Sequence, residues 1–564
     1  MSTRAAALVG VALFLAAQPA VLSAAAQAAA EPDRRAVATE VDRLFGRWNS
    51  TDLPGCTVGV AVDGEQVINR AYGMAELEHG LANRPDTIIE AGSVSKQFTA
   101  AAVLLLVQDG RISLDDEVRR YIPELPDEAK AVTVRQLLTH TSGLRDWGNL
   151  QDIAGWPRTR RAYTHDHVLD IVARQRHLNF APGTDFSYTN TGYNLAVVLV
   201  ERVTGQSFAD FCRTALFEPL GMTRTSWRDD FTRIVRDRAN GYTVSDEGVS
   251  LNMPFESVHG NGGLLTTVGD LLRWSENAVH AKVGGPTFIE TQHTKGRLAD
   301  GQDIVYTLGG LYRQEWRGIP EISHSGGTAG YRAWLARYPE ERLTVAVLCN
   351  ASDAPAWTLG RQVAELFLSL PATSAPQPAS VGAPVLEAIS GLYRNRRTSA
   401  ALAIDLIDGQ LRVAGLGALT PLTPDVLQVG TGAIRLEIER DPTGKVVGAR
   451  STVSGETTSY ERTEPSRPTL AQLQELAGTY ESDEAEVRLT VQVVDGALVL
   501  RRRPNTVIPL EPTYADGFSG SIGHVRFVRD ASGKVTHLSI GRDRVFDLRF
   551  ARVEATSAPQ RRPR

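Results

Sequence analysis

The spacing of apolar and polar residues changes several times along this chain. Residues 55–73 alternate around Asp63-Gly64, which predicts a β-hairpin. From Ser93 through Leu106 the period becomes helical and nearly every position is apolar, with a stop at Asp109-Gly110. Residues 115–280 read as mostly helical with long polar loops. Strand patterns return at 322–331, 334–338 and 343–348, with a turn at 339–342 before the last, and a helix is expected at 357–369. Strands at both ends of a helical middle predict an antiparallel sheet flanked by helices, with a helical subdomain inserted.

Past that region the texture changes. Residues 370–384 hold four prolines among Ala, Ser and Thr, as a linker does. Short alternating strands follow, and they repeat. Gly391-Leu392-Tyr393 returns as Gly478-Thr479-Tyr480, and Asp408-Gly409-Gln410-Leu411 as Asp495-Gly496-Ala497-Leu498, both 87 residues on. Asp441-Pro442-Thr443-Gly444-Lys445-Val446 returns as Asp530-Ala531-Ser532-Gly533-Lys534-Val535 after 89. Ordered matches at nearly one offset predict two copies of one all-β module, each a small antiparallel barrel. The expected organisation is a first domain over 31–370, a linker over 371–385, and barrels over 386–464 and 473–556.

Composition narrows the class. A chain of 564 residues exceeds a single core. Its 42% hydrophobic and 22% charged residues are ordinary for a globular protein. A net charge of −5 offers no footprint for nucleic acid. Arg4, the apolar run 5–17 and the small residues around Ala26-Gln27-Ala28 read as a signal peptide over 1–28. That run is short for a membrane span and is broken by Gln18-Pro19. The expectation is a periplasmic or secreted protein with no stable membrane anchor after processing.

Cys56, Cys212 and Cys349 allow at most one disulfide, and their apolar neighbours point to buried, inert thiols. Thr164-His165-Asp166-His167 has metal-ligand residue types without a third ligand at suitable spacing, and reads as a surface loop. No metal or cofactor is implied. Arg501-Arg502-Arg503 reads as a solvated strand end.

Chemistry enters with Ser93-Val94-Ser95-Lys96 at the head of the apolar helix. A Ser and a Lys three apart share one helix face, so an amine can take the hydroxyl proton without a Ser-His-Asp triad. An S-x-x-K tetrapeptide arises by chance about once in a few hundred residues, so its partners carry the weight. Two follow: Tyr188-Thr189-Asn190, and His324-Ser325-Gly326-Gly327 in a strand-like segment. Taken in this order, the three resemble the serine β-lactamase and penicillin-binding protein superfamily, nearest its class C β-lactamase, D-aminopeptidase and esterase group. Thr139-His140-Thr141-Ser142-Gly143 and Gly260-Asn261-Gly262-Gly263 also look like segments of that group.

The resemblance covers about 35–370. It implies a β-lactamase/transpeptidase-like α/β sandwich and a serine hydrolase. In it Ser93 would be the nucleophile, and Lys96 and Tyr188 would share the proton transfers, either serving as base. Asn190 would hold Lys96 and bind the substrate amide. His324 stands where many relatives carry a lysine, and would bind a substrate carboxylate weakly at neutral pH. Gly326 and Gly327 would let substrate lie along the strand edge, with the Gly327 N–H as an oxyanion donor. His140 is expected to brace a loop. The substrate is expected to be a small peptide, with D-residues among the candidates, or an ester; weak β-lactamase activity and an acylated receptor or cell-wall binder are the alternatives. The trailing modules resemble the two barrels of D-aminopeptidase, where a loop of the last barrel enters the active site. Here 421–441 and 509–530 agree in length to within one residue, so neither shows an insertion that would supply such a loop. The sequence carries no signal for oligomeric state.

Overall fold

A computed structural model describes residues 34–370, 378–429, 434–453 and 456–553. The expected signal peptide and residues 371–377 of the linker lie outside these residues. Helix α1 (Arg34–Leu44) precedes the hairpin of β1 (Cys56–Val62) and β2 (Glu65–Tyr72). Its turn residues Asp63 and Gly64 have φ of 52° and 78°, as a two-residue hairpin turn requires. The other sheet strands come late: β3 (Lys295–Arg297), β4 (Asp303–Thr307), β5 (Tyr312–Trp316), β6 (Ile319–Thr328), β7 (Tyr331–Tyr338) and β8 (Leu343–Cys349). The sheet order is β3-β4-β5-β6-β7-β8-β1-β2, antiparallel throughout.

Both faces of the sheet are covered at its centre, which explains the nearly continuous apolar strands β1, β7 and β8. Val58 and Val60 of β1 and Val345 and Val347 of β8 pack with Val37 and Val41 of α1 on one side. Leu359 and Val363 of the closing helix α5 (Ala356–Glu365) join them. Ala61, Ala346 and Leu348 turn to the larger core on the other face. Each such Val or Leu contributes about 1.5–3 kcal/mol on burial. Gly59 also turns that way: a Cβ there would stand 3.1 Å from Val268 of helix α4 (Val268–His280). Cys56 and Cys349 face each other in the β1–β8 register and form a disulfide. Two of the three expected inert thiols are thus paired; Cys212 alone is free, and buried. The turn between β6 and β7 falls at Ala329-Gly330, three residues before the expected break, with Ala329 at φ 46°.

Helix α2 (Lys96–Gln108) is buried on almost every side, as its all-round apolar sequence demands. It packs against α3 (Thr191–Thr204). Ser93 sits just ahead of it on the 3₁₀ turn Gly92–Ser95.

The C-terminal part forms two closed eight-stranded barrels, spanning 391–463 and 478–553. Their repeat extends to detail. Each barrel follows a seven-residue helix, Ala383–Ile389 or Leu470–Leu476. In each the first strand's tyrosine donates to that helix: Tyr393 to the Ile389 carbonyl at 2.5 Å, Tyr480 to that of Leu476 at 2.7 Å. The first of these helices overlaps the end of the segment read as linker. Pro384 suits its first turn, so the proline that looked like linker composition starts a helix.

The second barrel docks on the helical subdomain. Arg145 and Glu484 pair at 2.6 Å with side chains 1% and 8% exposed. Arg502 donates to the carbonyls of Asp152 and Ile153, and Arg503 to that of Ala154 at 3.3 Å. These are the last carbonyls of the helix Trp147–Ala154. Arg502 and Arg503 of the expected solvated run therefore cap this helix C-terminus across the domain boundary, where cations are favoured, while Arg501 stays exposed.

Candidate active site

Three segments distant in sequence meet at Ser93. Close approach of backbone to backbone positions the serine. Gly92 has φ 51°, and a Cβ on it would stand 2.6 Å from the Gly327 nitrogen. A Cβ on Gly326 would strike the Ala91 carbonyl at 2.0 Å. The two glycines let the serine turn press onto the edge of β6. Gly326, expected to leave room for substrate, instead leaves room for Ala91. A Cβ on Gly327 would meet only the Arg332 side chain, at an ordinary contact distance of 3.8 Å.

Lys96 is 0% exposed, and its Nζ has three partners: Ser93 Oγ at 3.2 Å, Asn190 Oδ1 at 3.0 Å and the Asn261 carbonyl at 2.7 Å. The two asparagine oxygens can only accept, so they take two amine hydrogens. The third bond can then run from the Ser93 hydroxyl to a neutral amine. Burial holds the Lys96 ammonium well below the ordinary lysine range, and nearby Arg544 pushes the same way while Asp146 opposes it. The neutral form is therefore reached at lower pH than for an exposed lysine.

The frame around Lys96 is hydrogen-bonded throughout. Asn190, at the head of α3, donates its backbone N–H to Asp146 Oδ2 at 2.8 Å. Asn194, one turn on, donates to Asn261 Oδ1 at 2.7 Å and to the His259 carbonyl at 2.9 Å. Thr99 of α2 holds the Gly260 carbonyl at 2.8 Å. The Gly260-Asn261 segment thus presents a main-chain acceptor to Lys96. His165, expected in a surface loop, starts the helix His165–Ala173 and bonds the His259 carbonyl at 3.1 Å.

Tyr188 lies beside the pair, with Lys96 Nζ 4.8 Å from its ring centroid. Burial raises its hydroxyl to about 12, against the pull of Arg544, so it is a neutral donor at physiological pH. That hydroxyl is buried, and the side chain it interacts with is Ser93. It stands where it can donate to a substrate atom held at Ser93. His140 packs on the Tyr188 ring at 4.2 Å and accepts from the Thr189 N–H at 3.2 Å. Burial keeps it neutral, well below its usual range. It braces the tyrosine as well as its own loop.

His324 does not offer a free ring edge. Its Nδ1 lies 2.6 Å from the Ser325 carbonyl, which can only accept, so Nδ1 carries the proton. Nε2 then accepts from the Tyr306 hydroxyl at 3.0 Å. Burial and Lys96 lower its pKa to about 3, so it is uncharged. The expected weak carboxylate ligand is a neutral structural histidine with both nitrogens used.

One component reaches the site from outside the first domain. Strands β9 (Val535–Arg542) and β10 (Val545–Val553) of the second barrel are joined by a turn that carries Arg544. The Arg544 carbonyl accepts from the Asp146 N–H at 3.2 Å and from Asn179 Nδ2 at 3.0 Å. Its guanidinium carbon lies 4.7 Å from the Tyr188 ring centroid. A barrel segment does enter the site without any insertion over 509–530. Docking supplies the reach that extra residues would otherwise provide. Arg544, Asp146, Asn261 and Tyr306 were not singled out by the sequence; Gly260-Asn261-Gly262-Gly263 was the one signal that pointed to any of them.

A family model described as Beta-lactamase matches residues 34–366. Penicillin-binding protein 4* of Bacillus subtilis (strain 168) is 30% identical over 312 residues, 53% of this chain and 68% of that protein. A D-aminopeptidase of Gluconobacter oxydans (strain 621H) is 28% identical over 461 residues, 79% of this chain and 83% of that one. The octameric penicillin-binding protein homologue from Pyrococcus abyssi shares the fold, with a TM-score of 0.53 at 22% identity over 92% of this chain and 100% of that one.

Proposed function

The chain belongs to the beta-lactamase family and is a serine hydrolase, and on that premise we propose that it forms an acyl-enzyme at Ser93 and hydrolyses an amide bond of small peptides, D-residue peptides among them. The observation that carries this reading is the Lys96 bonding pattern, with two acceptor-only partners and the Ser93 hydroxyl. Lys96 takes the hydroxyl proton as Ser93 Oγ bonds to the carbonyl carbon. The Ser93 and Gly327 N–H groups face the developing oxyanion. The C–N bond then breaks, and Tyr188 gives its proton to the leaving nitrogen while the Lys96 ammonium restores it. A water attacks the ester, its proton passes to the same pair, and Ser93 Oγ leaves with that proton. Asn190 keeps Lys96 aimed and meets the substrate amide.

The choice of peptide over ester rests on the D-aminopeptidase relatives, whose similarity runs through 78–86% of this chain and so includes barrel sequence. Export belongs to the same reading. A leader pattern over 1–28 and the Cys56–Cys349 disulfide both suit an oxidising compartment.

The test is to incubate the mature protein with a fluorescent serine-hydrolase probe, then with nitrocefin, p-nitrophenyl esters and D- or L-alanyl p-nitroanilides, beside Ser93→Ala. Turnover of an anilide, lost in Ser93→Ala, supports the reading. Lasting label without turnover points to a receptor, ester-only turnover to an esterase, and equal labelling of Ser93→Ala overturns the nucleophile.

A further inference from the structure

The Arg544 side chain is placed firmly, and its contacts are the Tyr188 ring and one long ion pair with Asp146. Its backbone is clamped by Asp146 and Asn179, and the Phe546 N–H closes the clamp on Asn179 Oδ1 at 3.0 Å. Its guanidinium stands over the Tyr188 ring, is 37% exposed, and makes no hydrogen bond among the described residues. Asp146 Oδ2 is the nearest carboxylate oxygen, at 3.9 Å. That oxygen already accepts from Asn190, and Oδ1 accepts from the Asn149 N–H at 3.1 Å. A guanidinium has five donors in a planar fork that matches a carboxylate edge to edge.

The other cations around the site are committed. Lys96 is sealed in its three bonds. Arg158 pairs with Glu256, Arg397 with Asp185 and Glu456, and Arg332 donates to the carbonyls of Ala329 and Tyr331. His324, on the strand where a carboxylate ligand was expected, is neutral and fully bonded.

We infer that Arg544 is a specificity residue that binds a carboxylate on the leaving-group side of the scissile amide, so that the preferred substrates are short peptides ending in a free carboxylate just past the cleaved bond. The placement follows from Tyr188, the group that protonates the leaving nitrogen and on whose ring the guanidinium rests. The inference rests on the amide-hydrolase reading above.

The experiment compares alanyl-alanine of each stereochemistry as free acid and as C-terminal carboxamide, with wild type, Arg544→Gln and Arg544→Lys. Product alanine or alaninamide is read by mass spectrometry on the pH plateau of each variant. A charge-assisted contact predicts at least ~10-fold higher kcat/KM for the free acid in wild type, mostly through KM. Arg544→Gln collapses that ratio to about one, and Arg544→Lys retains part of it. The ratio cancels any effect on Lys96 or on folding, which strikes both substrates alike. A wild-type ratio at or below one, or a ratio that survives Arg544→Gln, overturns the inference and leaves the amide-hydrolase reading standing. If neither form turns over, the amide-hydrolase reading is decided by the alanyl anilides. The inference is then judged by the two forms as inhibitors of p-nitrophenyl ester hydrolysis, where the same order must appear.

Discussion

The Lys96 Nζ lies 2.7 Å from the carbonyl oxygen of Asn261, a residue 165 positions away. This bond and its neighbour to Asn190 leave the amine one remaining direction, toward Ser93. An isolated lysine in water would be protonated and useless as a base. Desolvation favours the neutral form, and the two acceptors decide where its lone pair points.

Tyr188→Phe separates proton donation from nucleophilic attack. An amide needs its leaving nitrogen protonated, whereas p-nitrophenolate leaves unaided. The variant is expected to lose about 10²–10⁴-fold in kcat/KM on an alanyl anilide and far less on a p-nitrophenyl ester. Equal losses on both would assign Tyr188 a different task.

The pH profile reports Lys96. The amine must be unprotonated, so kcat/KM rises with pH and levels above the Lys96 pKa, which burial and Arg544 hold well below the usual lysine range. Arg544→Gln removes a charge that disfavours the ammonium. The pKa therefore rises, and the acid limb moves to higher pH; Arg544→Lys leaves it near its wild-type place. An acid limb that stays put or moves down in Arg544→Gln contradicts the coupling.

Much of the first domain was legible because local signals agree with the fold. The Asp63-Gly64 hairpin, the all-round apolar α2 and the strand edge holding His324 all stand where the pattern put them. The barrel repeat was readable for the same reason, since each copy places its turn residues alike. What escaped depends on contacts between distant segments. Cys56 and Cys349 lie 293 residues apart and meet only once β1 pairs with β8. Arg502 and Arg544 look like ordinary surface arginines until the barrel docks. His324 looked titratable because nothing in sequence shows its burial or its bond to Tyr306.

The thiol count follows from that pairing. The native protein is expected to show no thiol to a disulfide-exchange reagent, because Cys212 is buried and its thiol is held far above the usual range. Unfolding without reductant exposes one thiol, and unfolding with reductant three. Two or more thiols in the unreduced, unfolded protein would remove the disulfide.

Docking of the second barrel depends on a buried charge pair. Arg145→Met leaves Glu484 uncompensated and is expected to cost about 3–5 kcal/mol in the first urea transition. Adding Glu484→Leu removes the stranded charge and recovers most of that loss. A single variant with wild-type stability would show that the barrel is held by other contacts.

The most direct test of the account is the covalent adduct itself. The enzyme is quenched in acid during turnover of a D-alanyl substrate, digested, and its peptides weighed. The account predicts an alanyl mass on the peptide containing Ser93, present in wild type, absent in Ser93→Ala, and lost on the timescale of turnover. An adduct on another residue, or continued amine release by Ser93→Ala, contradicts it.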